Sequence, residues 1–427
     1  MKKIIFFFII GFYITCVGYT PISPVKFTFK HRFRFVSFDN AIDLSDDVDT
    51  RNTFTRHLTS ASAQWQPSTH WEVFARVTNE FRYYFHPDDR DFTIHEIFLE
   101  NLYVQWKTSG KHPLSIKLGR QNIMMGEGFV VMDGHPLDGS RSIYFNAARI
   151  DFTLAKKKNL TLFYTYQPDI DDLLPIVNPQ DQMMVEQTEE GVGLYYSGQH
   201  RSIKLEGYLI HKRVEEKNDK LHSLINTFGG RINAPLTSKL DATVEAAYQM
   251  GEYGYVDRSA FGGIFHLDYA FNKSFPLPKT VTFGSILLSG DDPSTPKWEG
   301  WDPLFSRWPK WSESYIYTLI LEYGGRVAYW SNLGSVYTKF KFPVSKAINL
   351  NVSIHHLLTL QDPHSGSLLM HGIGRTRGQL IVTKTSFKVS KRLTGHIVWD
   401  TFFPGDFYAS SADGYHWFRF ELLYQRR

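Results

Sequence analysis

Val25-Lys26-Phe27-Thr28-Phe29-Lys30-His31-Arg32-Phe33-Arg34-Phe35 alternates along its length, with nearly every odd position apolar and every even position basic or polar. Successive side chains of a β-strand point to opposite faces, so Val25, Phe27, Phe29, Phe33 and Phe35 share one face. Lys26, Thr28, Lys30, Arg32 and Arg34 share the other. Two structures accommodate this pattern. One is a sheet with its polar face in water; the other is the wall of a membrane barrel, apolar outside and charged within.

Composition and the N-terminus decide between them. Aromatics make up 16% of the 427 residues, while the hydrophobic fraction is an ordinary 42% and the mean hydropathy is −0.28. A chain whose apolar residues occupy alternate, outward positions has this balance. Met1-Lys2-Lys3 is a short positive region, Ile4 to Ile14 is an apolar run, and Cys16-Val17-Gly18 sets small residues around a cleavage point. This reads as a secretory signal over residues 1–18, leaving 19–427 as the barrel; the run is about 11 residues, against the ~20 that a membrane helix needs. Cys16, the single cysteine, leaves with the signal, so the mature chain has no disulfide and no thiolate metal site. Removing Lys2 and Lys3 lowers the 47 basic residues to 45 against 43 acidic ones, so net charge alone says little about partners.

The alternation returns in runs of about ten residues, among them Thr53 to Trp65, Ile94 to Lys107, Leu114 to Met124, Arg141 to Leu154 and Trp417 to Tyr424. Short connections such as Pro67-Ser68-Thr69-His70 and Ser390-Lys391-Arg392 alternate with long ones such as Met125 to Ser140, Pro168 to Thr188 and Asp291 to Asn332. The expected fold is all-β, a transmembrane antiparallel up-and-down barrel of about 18 strands, with sixteen the other count the pattern allows. Both termini then lie at the short-turn end. Tyr315 to Tyr323 has strand character but breaks the alternation of turns if counted, and belongs to a long loop on this reading.

Parity assigns charges to the lumen, because a lysine or arginine facing lipid at mid-bilayer costs ~2 to 4 kcal/mol. The first strand contributes Lys26, Lys30, Arg32 and Arg34, and Trp71 to Phe85 contributes Arg76 and Arg82 with Glu72 and Glu80. Arg141, Arg149, Arg231, Lys339, Lys341 and Arg419 complete the pore-lining set, opposed by Asp151, Glu245, Asp268 and Glu421. The first strand has no acid of its own on this face. Its cations either form an anion-attracting patch or are neutralised by a carboxylate from a loop folded inward.

Gly119-Arg120-Gln121, Gly126-Glu127-Gly128, Asp133-Gly134, Arg141-Ser142 and Arg149 resemble a stretch of the alginate-export family of outer-membrane barrels. Trp330-Ser331-Asn332-Leu333 is similar to another. Glu127 stands where that family usually has aspartate. The resemblance implies an 18-stranded barrel in the bacterial outer membrane whose basic pore passes an anionic polysaccharide, with relatives that pass small anionic solutes. It also implies outer-membrane lipid and periplasmic export proteins as partners. The contrasting reading is a surface barrel with a plugged lumen whose long loops bind an extracellular partner.

Other features carry less chemistry. Asp39, Asp43, Asp46, Asp47 and Asp49 crowd the first long loop without the glycine and closing glutamate of a calcium loop, so a solvated loop is expected. Trp298, Trp301, Trp308 and Trp311 either stack sugars, form a lid, sit in an interfacial belt, or simply pack. No Gly-x-Ser-x-Gly or His-Glu-x-x-His occurs, and His355-His356 on a strand would point to opposite faces. No enzyme, cofactor or nucleic-acid site is expected.

Overall fold

The computed structural model describes residues 24–88, 90, 94–133, 144–218, 220–271, 276–306, 310–314, 331–362 and 372–426. The signal segment 1–18, Gly134, Arg141, Ser142, Trp308, Tyr315 to Tyr323 and Trp330 lie outside these residues. The strands are β1 (Lys26–Asp39), β2 (Asn52–Trp65), β3 (Trp71–His86), β4 (Ile97–Lys107), β5 (Leu114–Gln121), β6 (Phe145–Ala155), β7 (Lys158–Gln167), β8 (Ile176–Val177), β9 (Glu189–His200) and β10 (Ile203–Val214). They continue with β11 (Ser223–Pro235), β12 (Leu240–Tyr253), β13 (Val256–Ala270), β14 (Thr280–Leu288), β15 (Leu333–Pro343), β16 (Ile348–Leu358), β17 (Thr376–Lys388), β18 (Leu393–Pro404) and β19 (Tyr415–Arg426).

Each long strand pairs antiparallel with its neighbours along the chain, β7 passing directly to β9. The last strand returns to the first, from Phe29 opposite Arg426 to Asp39 opposite His416. The two-residue β8 only adds to the end of β4. Eighteen long strands therefore close a ring, as the alternation predicts. Closure matters energetically because a hydrocarbon surround offers no partner to an unpaired backbone group, and a ring has no open edge.

The parity of β1 holds along its length. Phe27 is 71% exposed, whereas Arg32 and Arg34 are each 3% exposed. Aromatics gather outside at both ends of the strands, with Phe27, Trp65, Trp71 and Phe152 near the short turns and Tyr83, Phe85, Tyr164 and Phe403 near the long loops. Such girdles sit at the two membrane interfaces. The alternation of turns has two exceptions: residues 254–255 form a tight turn at the long-loop end, and residues 271–279 a longer link at the other.

Three strand ends fall short of the sequence reading by three residues or more. β4 begins at Ile97 rather than Ile94, β6 at Phe145 rather than Arg141, and β5 stops at Gln121 instead of reaching Met124. The last has a local cause. Gly119 adopts φ +118, and a Cβ there would lie 2.2 Å from the Leu102 carbonyl oxygen, so only glycine fits this irregular step. Beyond it Arg120 and Gln121 are both buried, and the chain leaves the wall for the lumen.

Candidate functional site: the lumen and its inward loops

Ring closure sets inward side chains from neighbouring strands at one level. His396 lies opposite Glu421, Glu421 opposite Arg34, Arg34 opposite Arg56, and Arg56 opposite Arg82. One step toward the long loops, Arg419 lies opposite Val36. Arg34 Nε donates to Glu421 at 2.5 Å, Arg56 Nε to Glu80 at 2.8 Å, and Arg82 Nη1 to the Tyr84 hydroxyl at 3.2 Å. Arg419 Nε approaches His396 Nε2 at 3.1 Å, and its Nη1 donates to Glu313, from a loop. Arg34 of β1 thus meets an acid from a neighbouring strand, and the adjoining Arg419 meets one from a loop folded inward. Among the described residues this wall carries Arg32, Arg34, Arg56, Arg82 and Arg419 together with Glu80, Glu313, Asp400 and Glu421.

In a ring of eighteen, β11 lies nine strands from β1, so Arg231 looks across the bore at this row. Its surroundings are acidic. Arg231 Nη1 donates to Glu206 at 3.2 Å, Nη2 donates to Glu127, and Nε is 4.0 Å from Glu245. Tyr195 and Tyr208 donate to Glu206 and Glu245 at 2.9 and 3.2 Å. His266 bridges Glu127 at 3.2 Å and Asp268 at 2.8 Å.

Two loops enter from the long-loop end and fill the space between the walls. Residues 122–133 and 298–306 are zipped by Phe305 N to Val130 O at 3.0 Å, Met132 N to Phe305 O at 3.2 Å, and the Ser306 hydroxyl to Gly128 O at 2.5 Å. Phe129 stacks on Trp301 with centroids 5.3 Å apart, and Phe305 meets Phe145 and Phe163 edge-on. Gly191 makes room, since a Cβ there would lie 2.5 Å from Phe305 Cζ.

Polar ties fix the second loop to opposite walls. On β10 the fully buried Lys212 donates to Asp302 at 3.1 Å and Leu304 O at 3.0 Å, and pairs with Glu189 at 3.1 Å. Gln249 exchanges two hydrogen bonds with Asp302, and Arg258 donates to Gly300 O at 2.8 Å. At the far side Ser312 and Ser314 donate to Asp400 at 2.7 and 2.6 Å, beside the Glu313 to Arg419 contact. The described parts of this loop, 298–306 and 310–314, are thus tied to β10–β13 and to β18–β19 respectively, and together they are termed the strap. Lys310 joins it to the first loop by donating to Glu127 O.

Burial would raise the Glu127 carboxyl, but the His266 hydrogen bond and the Arg231 charge outweigh it and hold the group down at about 2. Burial pushes the Lys310 ammonium down to about 8 against the pull of Glu127 and Glu245. A depressed carboxyl stabilises the docked loop above its ordinary range and loses that contribution as pH falls toward its folded value. Channel current is therefore expected to rise as pH is lowered from about 4.5 to about 2. Planar-bilayer recording checks this, with Glu127→Gln lacking the step; an identical acid response in the variant would show that Glu127 is not the latch.

The remaining sequence candidates are dispersed. Arg76 donates to Glu100 at 3.3 Å and Arg149 to Asp151 at 2.8 Å. Lys339 stands over Tyr337 at 4.6 Å, and Lys26 and Lys341 are exposed near the short-turn end. Lys30 shares the inward parity of β1. Arg120 is an anchor: Nη2 donates to Asp171 at 2.7 Å, Nη1 to Leu99 O at 2.9 Å and Nε to Asn146 at 2.8 Å. This ties the 168–188 loop to the wall. Gln121 donates to the carbonyls of Ala147 and Gly119 at 3.1 and 3.2 Å. The Gly-Arg-Gln stretch is thus explained by backbone and loop anchoring.

Among the described residues no three His, Cys, Asp or Glu side chains could share a metal. In the aspartate-rich loop Asp43 accepts from the Thr50 hydroxyl at 2.9 Å, and the Asp46 amide donates to Asp413 at 2.9 Å. Trp301 is buried, and Trp298 stacks on Tyr253 at 4.1 Å. His355 is buried in the lumen, while His356 hydrogen-bonds Gln379 on the outer face.

Arg56 and Lys212 were not singled out by sequence reasoning. Around Arg56 the alternate residues Thr53, Thr55, His57, Thr59 and Ala61 form a weakly apolar outer face, so parity there gives no clear inside. The alternation of Leu205 and Leu209 against Lys204, Glu206 and Lys212 was the available signal on β10.

The family model described as alginate export matches residues 23–356. No curated protein sequence matches the chain. In fold it is similar to OccK9 (OpdG) of Pseudomonas aeruginosa, with TM-score 0.59, 9% identity, and 94% and 98% of the two chains covered. OccAB1 of Acinetobacter baumannii is comparable, with TM-score 0.58, 9% identity and coverage of 94% and 96%. OpdK of P. aeruginosa, in a structure with vanillate, gives 0.54, 11%, and 94% and 98%.

Proposed function

The chain belongs to the alginate-export family of outer-membrane barrels, and on that premise we propose that it is a channel passing anionic polysaccharide or small anionic solutes along a basic wall. The observation that carries the reading is the cross-strand row Arg34, Arg56 and Arg82, with Arg32 and Arg419 beside it. Arginines aligned across neighbouring strands on one wall of a narrow bore contribute a positive potential that concentrates anions and repels cations. Their planar forks suit carboxylates. The vanillate in the OpdK structure is a small carboxylate of the same charge class.

Transport needs no group on this wall to form a bond with its cargo. What it requires is a sequence of weak carboxylate stations, each reachable from the last. Arg34, Arg56 and Arg82 occupy successive strands; Arg34 and Arg56 are buried and act on a passing carboxylate through the field of the wall, while the half-buried Arg82 is the more accessible fork. Their partial pairing with Glu421 and Glu80 limits the hold of each fork.

One observation favours the contrasting reading, a plugged barrel whose outer loops bind a partner. The strap crosses the bore and is tied at both ends. Reversal potential across a planar bilayer with a salt gradient separates the two. Anion-selective current that an acidic oligosaccharide blocks is expected; no current in any salt would sink the channel reading.

A further inference from the structure

Toward the short-turn end of β3–β5 the lumen wall departs from its polar pattern. Phe74 and Tyr103 lie directly opposite one another on β3 and β4, both inward, with ring centroids 5.2 Å apart and planes 18° from parallel. Unlike Phe129, Phe163, Trp301 and Phe305, which are buried, these two rings remain partly open. In the same cross-strand row Tyr103 is followed by Gly119, whose backbone is exposed. The row presents two rings and then a strip without side chains.

Cations border this shelf. Lys117 Nζ stands 4.4 Å over the Tyr103 ring, and among the described residues no carboxylate lies within ion-pair distance of it. Arg76 lies 5.4 Å over Phe74, with one nitrogen on Glu100. Glu72 accepts from the Tyr103 hydroxyl at 3.1 Å and so fixes the ring's orientation. Apolar ring surface open to a water-filled passage is unfavourable unless something covers it.

We propose that Phe74 and Tyr103, with Lys117 and Arg76, form a binding station for a uronic-acid residue of a polysaccharide. The C–H face of a pyranose lies on the aromatic pair and over Gly119, while its carboxylate draws Lys117 off the Tyr103 ring. Lys117 suits this because its ammonium is a mobile point charge on a flexible stem. A small inorganic anion satisfies the charge but leaves the rings uncovered, and a neutral sugar covers the rings but leaves the charge. Both requirements meet in a ring that carries a carboxylate, and in a polysaccharide that ring is a uronic acid. The station rests on the proposed anion-channel reading and deepens it.

The test is the lifetime of current blocks by a short uronic-acid oligosaccharide, with a neutral glucan oligosaccharide of matched length and chloride current as controls. Tyr103→Ala is expected to shorten acidic blocks about tenfold while chloride selectivity is kept. Tyr103→Phe keeps the ring and is expected to retain long blocks. Lys117→Met, which leaves the aromatic pair in place, is expected to reduce acidic blocks toward the neutral level even where Tyr103→Ala fails to fold. Acidic block lifetimes unchanged in Lys117→Met, or wild-type chloride current that the acidic oligosaccharide never interrupts, would overturn the station while leaving the channel standing. A wild-type barrel that conducts nothing would remove both.

Discussion

Replacing Lys212 with methionine is expected to free the strap from β10 and raise single-channel conductance several-fold. The fully buried ammonium serves Asp302 on the strap and Glu189 on the wall. Taking away one partner of a buried ionic cluster leaves uncompensated charge in a poor solvent, a loss of roughly 3–5 kcal/mol. That loss falls mainly on the docked strap, because the strand ladder of β10 with β9 and β11 does not involve the side chain. Bilayer recordings should show larger and noisier openings, and the barrel should still run as a folded species in a heat-modifiability assay. Adding Glu189→Gln and Asp302→Asn removes the stranded charges and should return conductance part of the way. An unaltered conductance in Lys212→Met would mean that the strap does not restrict the path.

Neutralising the arginine row should have the second large effect. In Arg34→Gln/Arg56→Gln/Arg82→Gln the wall loses three positive charges while Glu80 and Glu421 remain. A unit charge about 8 Å from an ion's path acts with about 0.5 kcal/mol in water, so the three together change the local ion concentration by about tenfold. Anions lose and cations gain by that factor, so the anion-to-cation permeability ratio is expected to fall by up to about a hundredfold at low salt and the reversal potential to move toward the cation limit. High salt should shrink the difference, as screening requires. A triple variant with the wild-type reversal potential would place the selectivity filter elsewhere, with Lys339 or Lys341 the next cation to test.

How much of this was legible in the sequence depended on the physics that governs each part. Alternation between Phe27 and Arg34 reports which side of one strand meets lipid, and alternating turn lengths report how strands follow one another; both are local, the first holds along β1 and the second holds but for the two connections flanking β13. The path of a loop is not local. The sequence marks Asp302, Glu313 and Glu127 only as members of long loops, because polarity is common to water-facing segments and to segments that plug a polar bore. Only the partners Lys212, Arg419 and Arg231, distant in sequence, distinguish the cases. The same limit applies to the first strand, where the acid opposing Arg34 comes from β19 through closure of the ring. Arg120 shows the converse: its family-like setting was visible, but its bond to Asp171 depends on where the 168–188 loop returns.

The strap also has a mechanical consequence. A hoop of hydrogen-bonded strands resists stretching around its circumference but flattens readily into an ellipse under uneven lateral pressure. A chord fastened at β10–β13 and again at β18–β19 fixes one diameter and leaves the perpendicular one free. Squeezing by the surrounding bilayer would then deform the cross-section along a single axis, and cutting either fastening would make the barrel compliant in every direction.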